Sequence, residues 1–125
     1  MPVSMNEPLS ALQRIAEMMC ICYPHFTKAA EHPDSMMRLA YSLTGLLACC
    51  NIARVRKRKP FDSMIGETYE FVTNKMKFIA EQVAYEPLPC ACFHLETELF
   101  TCTGYTKIDE PKFSLWAGRG RFDIE

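Results

Sequence analysis

The hydrophobic period changes partway along this chain of 125 residues, and that change limits what it can fold into. As far as Ala53 the apolar residues recur every three or four positions, which lines them along one stripe of a helix. From Tyr69 onward they recur every second position, which puts them on one face of a strand. A run of cations, Arg54, Arg56, Lys57, Arg58 and Lys59, separates the two patterns. Helices followed by a series of antiparallel strands make an α+β order. At this length the chain is one domain at most.

Local signals set the expected elements. Asn6 reads as a helix N-cap with Pro8 in the first turn, where a missing N–H costs nothing. Leu9, Leu12, Ile15, Ala16 and Met19 follow helical spacing. Tyr23-Pro24 is expected to end that helix, because the residue before proline is pushed out of the α region. A short helical turn is expected over Phe26 to Glu31. His32-Pro33-Asp34 starts a second long helix, with Met36, Leu39, Ala40, Leu43, Leu46, Leu47 and Cys50 along one apolar face. Gly45 weakens its middle.

In the second half, Tyr69 to Thr73 and Met76 to Val83 read as a hairpin around Asn74-Lys75. Phe93, Leu95, Thr97 and Leu99 alternate with His94, Glu96 and Glu98, a half-buried strand with one polar face. Gly104 and Asp109-Glu110-Pro111 are expected to break the chain. Lys112 to Trp116 and Arg121 to Ile124 are short strand candidates. About five or six strands cannot close a barrel with a ligand-sized cavity, which needs roughly eight. The last strand would therefore leave an open edge, a route to self-association.

Composition excludes some functions. The hydrophobic share is 49% and the net charge is −1, which leaves no global attraction to nucleic acid. The start, Met1-Pro2-Val3-Ser4, has neither a basic region nor an apolar run, so no secretory signal is expected. Leu39 to Ala53 is too short and too polar to span a bilayer. Seven cysteines without a sign of export suggest thiols in a reducing compartment.

Four sets of residues could carry chemistry. The basic run suits phosphate or anionic lipid, and it equally suits a solvated loop. Glu67 and Glu70 fall on opposite faces of a strand and do not converge. Cys20, Cys22 and His25, and likewise Cys90, Cys92 and His94, lack the usual zinc spacing and read as thiols, not a metal site. Tyr69, Phe71, Phe78, Phe93, Phe113 and Trp116 read as core or as the wall of an apolar cavity.

Two stretches carry a family resemblance. Lys59-Pro60-Phe61-Asp62-Ser63-Met64-Ile65-Gly66-Glu67-Thr68-Tyr69-Glu70 is similar to the Lys-Pro-Phe-Asn-Pro-x-Leu-Gly-Glu-Thr-x-Glu run of the oxysterol-binding protein family. Glu81-Gln82-Val83-Ala84-Tyr85-Glu86-Pro87 resembles its Glu-Gln-Val-Ser-His-His-Pro-Pro fingerprint, with both histidines replaced. Pro2 to Ser10, with Leu12-Gln13-Arg14 and Glu17, resembles the opening of that family's lipid-binding domain. Arg38 falls where the family has an arginine. Lys112-Phe113, with Trp116 and Gly118, resembles a Lys-Phe-Trp-Gly element at altered spacing.

The resemblance implies a non-enzymatic carrier of sterol or another lipid between membranes, with no catalytic residue, metal or cofactor. It implies helices and first strands of a large, nearly closed β-barrel around a lipid tunnel. The family's domain is longer, so residues 1–125 are expected to form a single partial domain, helical over 1–53 and β over 54–125. The family's lid would lie upstream. The headgroup positions implied are Lys59, Pro60, Asp62, Tyr85 and Glu86, with Arg54, Arg56, Lys57 and Arg58 facing anionic membrane or phosphate. The family's lysine and paired histidines hold the phosphates of phosphatidylinositol 4-phosphate. Here Asp62 replaces an amide that can donate to phosphate, and an ionised carboxylate cannot. It would also repel phosphate by about 1–4 kcal/mol at contact. Glu86 adds a second carboxylate. Binding of that lipid is expected to be impaired. The expected location is cytoplasmic, peripheral to intracellular membranes. A degenerate interaction module or fragment that holds no lipid stays open as the alternative.

Overall fold

The computed structural model describes residues 2–56, 58–108 and 118–124. Two compact units divide the chain, Met1–Asp62 and Ser63–Glu125. Among the described residues, no helix is long and apolar enough to cross a membrane.

In the first unit, strand β1 (Asn6–Ser10) leads into helix α1 (Ala11–Glu31), and helix α2 (Ser35–Val55) leads to strand β2 (Lys59–Phe61). Strands β1 and β2 pair in parallel, Asn6 with Lys59 and Ser10 with Phe61, with an irregularity between. Pro8 lies in that irregular stretch and has no N–H for a ladder. Asn6 and Pro8 are therefore strand residues and not a cap and first turn. The cap is Ser10, whose hydroxyl accepts from the Gln13 N–H at 3.2 Å. Ser10-x-x-Gln13 has the capping-box spacing.

Helix α1 does not stop at Tyr23; it runs through Pro24 to Glu31. The separate turn expected over Phe26 to Glu31 is its last third. Proline removes one helical hydrogen bond, but Cys22, Phe26 and Ala29 are buried on both sides of it. That packing outweighs the lost bond. The Thr27 hydroxyl donates to the Tyr23 carbonyl at 2.9 Å.

Asp34 caps α2, its carboxylate accepting from the N–H groups of Met36 and Met37 at 3.4 and 3.3 Å. The face turned to α1 is not the leucine face. Met36, Leu39, Ala40, Leu43, Leu47 and Cys50 are exposed, and Leu46 is half-buried. Gly45 and Cys49 are buried instead. The reason is steric: a Cβ on Gly45 would stand 2.9 Å from Phe26 Cε1 and 3.1 Å from His25 Cβ. Apolar residues surround α2, so periodicity could not choose a face. Close approach chose the small one.

The second unit is a five-stranded antiparallel meander in the order β3-β4-β5-β6-β7. Its strands are β3 (Thr68–Val72), β4 (Met76–Ala84), β5 (Cys90–Thr97), β6 (Thr101–Ile108) and β7 (Gly118–Ile124). The expected hairpin forms around Asn74-Lys75, with the Thr73 N–H bonded to the Met76 carbonyl at 2.9 Å. Phe78, Ala80, Gln82, Ala91, Phe93, Leu95 and Cys102 form one buried face. Phe78 and Phe93 stack with centroids 6.1 Å apart. The alternation in β5 ends at Thr97. Leu99 lies in the turn, 52% exposed, and buried Phe100 follows. Gly104 does not break the chain. It sits inside β6, in register with Phe93 on one side and Phe122 on the other. Strand pairing on both sides holds a residue that would weaken an isolated strand. The Arg121 to Ile124 candidate lies within β7. Lys112 to Trp116 and the Asp109-Glu110-Pro111 break lie outside the described residues. Edge β3 has no second strand partner among the described residues, so the sheet is open.

These two helix faces predict opposite responses. Gly45→Val should lower stability by about 1–3 kcal/mol through overpacking. Leu47→Ala, at a site 69% exposed, should stay within about 0.5 kcal/mol. Urea denaturation followed by circular dichroism checks both.

Candidate functional site

One cation of the basic run, Arg56, is committed to structure. Glu7 on β1 accepts from Arg14 Nη1 of α1 at 3.0 Å, with both side chains nearly buried. Arg56, just past α2, lies 3.6 Å from the same carboxylate. It also pairs with Glu17 of α1. Arg14 reaches the Arg58 carbonyl at 3.3 Å as well. One carboxylate and two guanidinium groups thus tie β1, α1 and the approach to β2. Arg56 is therefore a half-buried partner in an ion-pair network and not a solvated cation. Arg58 is exposed. The Arg54 side chain and all of Lys57 lie outside the described residues.

Lys59 and Pro60 open β2. Lys59 Nζ pairs with Asp62 at 2.7 Å, with both side chains about half exposed. An exposed pair of this kind contributes at most about 1 kcal/mol. Its chemical effect is larger: the cation that the resemblance assigns to a phosphate already faces a carboxylate.

Tyr85 and Glu86 belong to the second unit, so the implied headgroup residues divide between the two units. Tyr85 is half-buried, and its hydroxyl donates to the Ser63 carbonyl. Glu86 is exposed. Neither supplies the cationic pair of the fingerprint. Ser63, where the resembled motif has proline, is 1% exposed, and its hydroxyl has no hydrogen-bond partner among the described residues.

Gln82, Gly66 and Glu67 hold this region in shape, and of these the sequence offered no signal for Gln82 beyond its place in the fingerprint. The buried Gln82 amide donates to the carbonyls of Ala84 at 2.9 Å and Cys90 at 3.1 Å. It spans the register shift at the end of β4. Its own backbone bonds Gly66 and Glu67, at 2.9 and 3.0 Å. Gly66 has φ of 78° with open space around a Cβ, so its requirement is backbone conformation alone. The Glu67 carboxylate accepts from the Met64 N–H at 2.8 Å, a structural role that leaves no carboxylate pair with Glu70. Glu7 and Gln82 act through partners distant in sequence, which periodicity does not report.

Among the described residues no group of three His, Cys, Asp or Glu side chains could hold a metal ion. Cys92 and His94 are exposed on β5. Partial burial, then Cys90 and Glu81 nearby, push the Cys92 thiol up and keep it protonated.

Comparison with known proteins follows this geometry. Residues 1–115 match the family model described as oxysterol-binding protein. The chain is 37% identical over 111 residues to oxysterol-binding protein-related protein 3B of Arabidopsis thaliana, covering 86% of this chain and 23% of that protein. It is 37% identical over 98 residues to oxysterol-binding protein-related protein 2 of Homo sapiens, covering 77% of this chain and 20% of that protein. It therefore spans less than a quarter of these relatives. The Osh1 ORD domain in complex with ergosterol is similar with a TM-score of 0.80 and 32% identity, over 87% of this chain and 26% of that one. The Osh3 ORD of Saccharomyces cerevisiae in complex with PI(4)P is similar with a TM-score of 0.77 and 27% identity, over 100% of this chain and 34% of that one.

Removing one partner of the Glu7 network strands nearly buried guanidinium charge. Glu7→Gln should cost about 2–4 kcal/mol, whereas Asp62→Ala should cost less than about 1 kcal/mol. Gln82→Ala should cost about 2–3 kcal/mol by leaving buried carbonyls unsatisfied. Chemical denaturation of the three variants ranks them.

Proposed function

The chain belongs to the oxysterol-binding protein family, and we propose from that premise that it is part of a non-enzymatic lipid carrier selective for sterol or another lipid lacking a phosphomonoester headgroup. The single observation that carries this is the likeness, at 32% identity, to a domain whose structure holds ergosterol. An apolar ligand needs an apolar enclosure, held mainly by the hydrophobic effect. The carrier would take one lipid from a membrane, shield it, and release it at another. Contact with anionic membrane would fall to Arg54, Lys57 and Arg58, because Arg56 is engaged with Glu7 and Glu17. The setting that fits is cytoplasmic, at the surface of intracellular membranes.

We place phosphatidylinositol 4-phosphate outside its ligand range. Each altered element, taken by itself, supports this. Lys59 is met by Asp62 at 2.7 Å. The Tyr85 hydroxyl is engaged by Ser63. Glu86 presents a carboxylate where a phosphate needs a donor. The related Osh3 domain, solved with PI(4)P, makes the comparison a fair one.

A second reading is an interaction module without lipid. The exposed apolar face of α2, with Leu43 at 50% and Leu47 at 69%, favours it, since such faces mark association surfaces.

Vesicle assays separate these readings. The chain should bind a fluorescent sterol saturably and extract no phosphatidylinositol 4-phosphate. Asp62→Asn combined with Tyr85→His and Glu86→His should raise affinity for that phosphoinositide about tenfold or more. Saturable phosphoinositide binding by the unaltered chain, lost in Lys59→Ala, would refute the exclusion. Absence of sterol binding together with self-association would favour the module.

A further inference from the structure

The interface between α1 and α2 holds two cysteines in a reciprocal arrangement. Cys22 of α1 is fully buried, and Cys49 of α2 is 7% exposed. The Cys22 thiol donates to the Gly45 carbonyl at 3.4 Å. The Cys49 thiol donates to the Met18 carbonyl at 3.5 Å. Gly45 lies one helical turn before Cys49, and Met18 one turn before Cys22. Helical side chains lean over the turn preceding them. Each thiol therefore reaches the stretch of facing backbone that the other one covers.

The absence of a side chain at Gly45 makes this approach close. A disulfide requires Cα atoms within about 7 Å and converging Cβ vectors, and the close helix approach at Gly45 favours both. We propose that Cys22 and Cys49 are a redox-modification site, which a peroxide closes into a reversible disulfide pinning α1 to α2.

The chemistry is balanced. The Cys49 thiolate attacks a peroxide oxygen, the O–O bond breaks, and a sulfenic acid forms with release of water. The Cys22 sulfur then attacks the Cys49 sulfur, an S–S bond forms, and a second water leaves. Two thiols are oxidised by two electrons, and one hydrogen peroxide is reduced to two waters. A hydrogen bond with the Cys22 thiol holds the Cys49 thiol below its ordinary value, against the upward push of burial. Cys20, by contrast, is pushed up by burial and then by Glu17. Cys49 therefore has more thiolate available for attack than Cys20. Its chain neighbour Ala48 lines a groove of about 600 Å³ between the helices, with Cys20, Ile21 and Asn51. Neither Cys22 nor Cys49 lines that groove, and Cys49, at 7% exposed against 0% for Cys22, is the member of the pair that solvent reaches.

The test uses the full chain carrying Cys20→Ser and Cys50→Ser, which removes the exposed cysteine beside each member of the pair. After native treatment with hydrogen peroxide, thiols are blocked and the chain is digested with trypsin. Cleavage after Lys28 and Arg38 puts Cys22 and Cys49 in separate peptides. We expect those two peptides joined, less two hydrogen atoms, in the monomer, and separated again by dithiothreitol. The oxidised form should unfold several degrees higher than the reduced form. Cys49→Ala should abolish the joined peptide; if that variant does not fold, the peptide map alone decides. The proposal is overturned if Cys22 and Cys49 both remain alkylatable after peroxide. It is equally overturned if Cys49 ends as a sulfinic acid, or if bridges form only between chains or within the peptide holding Cys90, Cys92 and Cys102.

Discussion

Glu7 holds the first unit together. Its carboxylate receives Arg14 at 3.0 Å and stands 3.6 Å from Arg56. Those cations come from α1 and from the residues after α2, so one acidic side chain relates three segments of backbone. The strand pair β1–β2 depends on it, since Arg14 also holds the Arg58 carbonyl just before β2. Burying such charges is costly unless each is paired. Here Arg14, Arg56, Glu7 and Glu17 neutralise one another. The basic run is consequently shared between architecture and surface.

That division bears on function. A polybasic stretch read as a string of five cations implies strong attraction to anionic lipid. Arg56 instead meets Glu7 and Glu17, and Lys59 faces Asp62, so two of those five cations are already paired within the protein. In the second unit the loop after β4 is held by a neutral amide, Gln82, and a phenol, Tyr85. In both motifs hydrogen bonds shape the backbone, while Asp62 and Glu86 are exposed carboxylates.

The strands were legible because their cue is local. Period-two alternation in Phe93 and Leu95 sorts the faces of β5, and Asn74-Lys75 marks the hairpin turn between β3 and β4. The family was legible because Lys59 to Glu70 and Glu81 to Pro87 are long, specific runs. The helical half was harder. Pro24 looked like a terminus because its local cost is plain, whereas the burial of Phe26 and Ala29 that offsets it is tertiary. Ser10-x-x-Gln13 marked the true cap, but Asn6, with Pro8 after it, offered a competing cap four residues earlier. Gly104 looked like a break because its weakness in a strand is local, and the pairing of both neighbours that rescues it is not.

By itself, the sequence determined the α+β order, the strand faces, the family and the acidic changes at Asp62 and Glu86. Each is written in residue identity or short-range spacing. Tertiary structure alone decided which face of α2 meets α1, because leucines surround that helix and only contact with Phe26 and His25 singles out Gly45. It alone joined Glu7 to Arg56 and Gln82 to Cys90, and brought Cys22 opposite Cys49. Such pairings depend on backbone segments distant in sequence meeting at hydrogen-bond distance, and no local period encodes that.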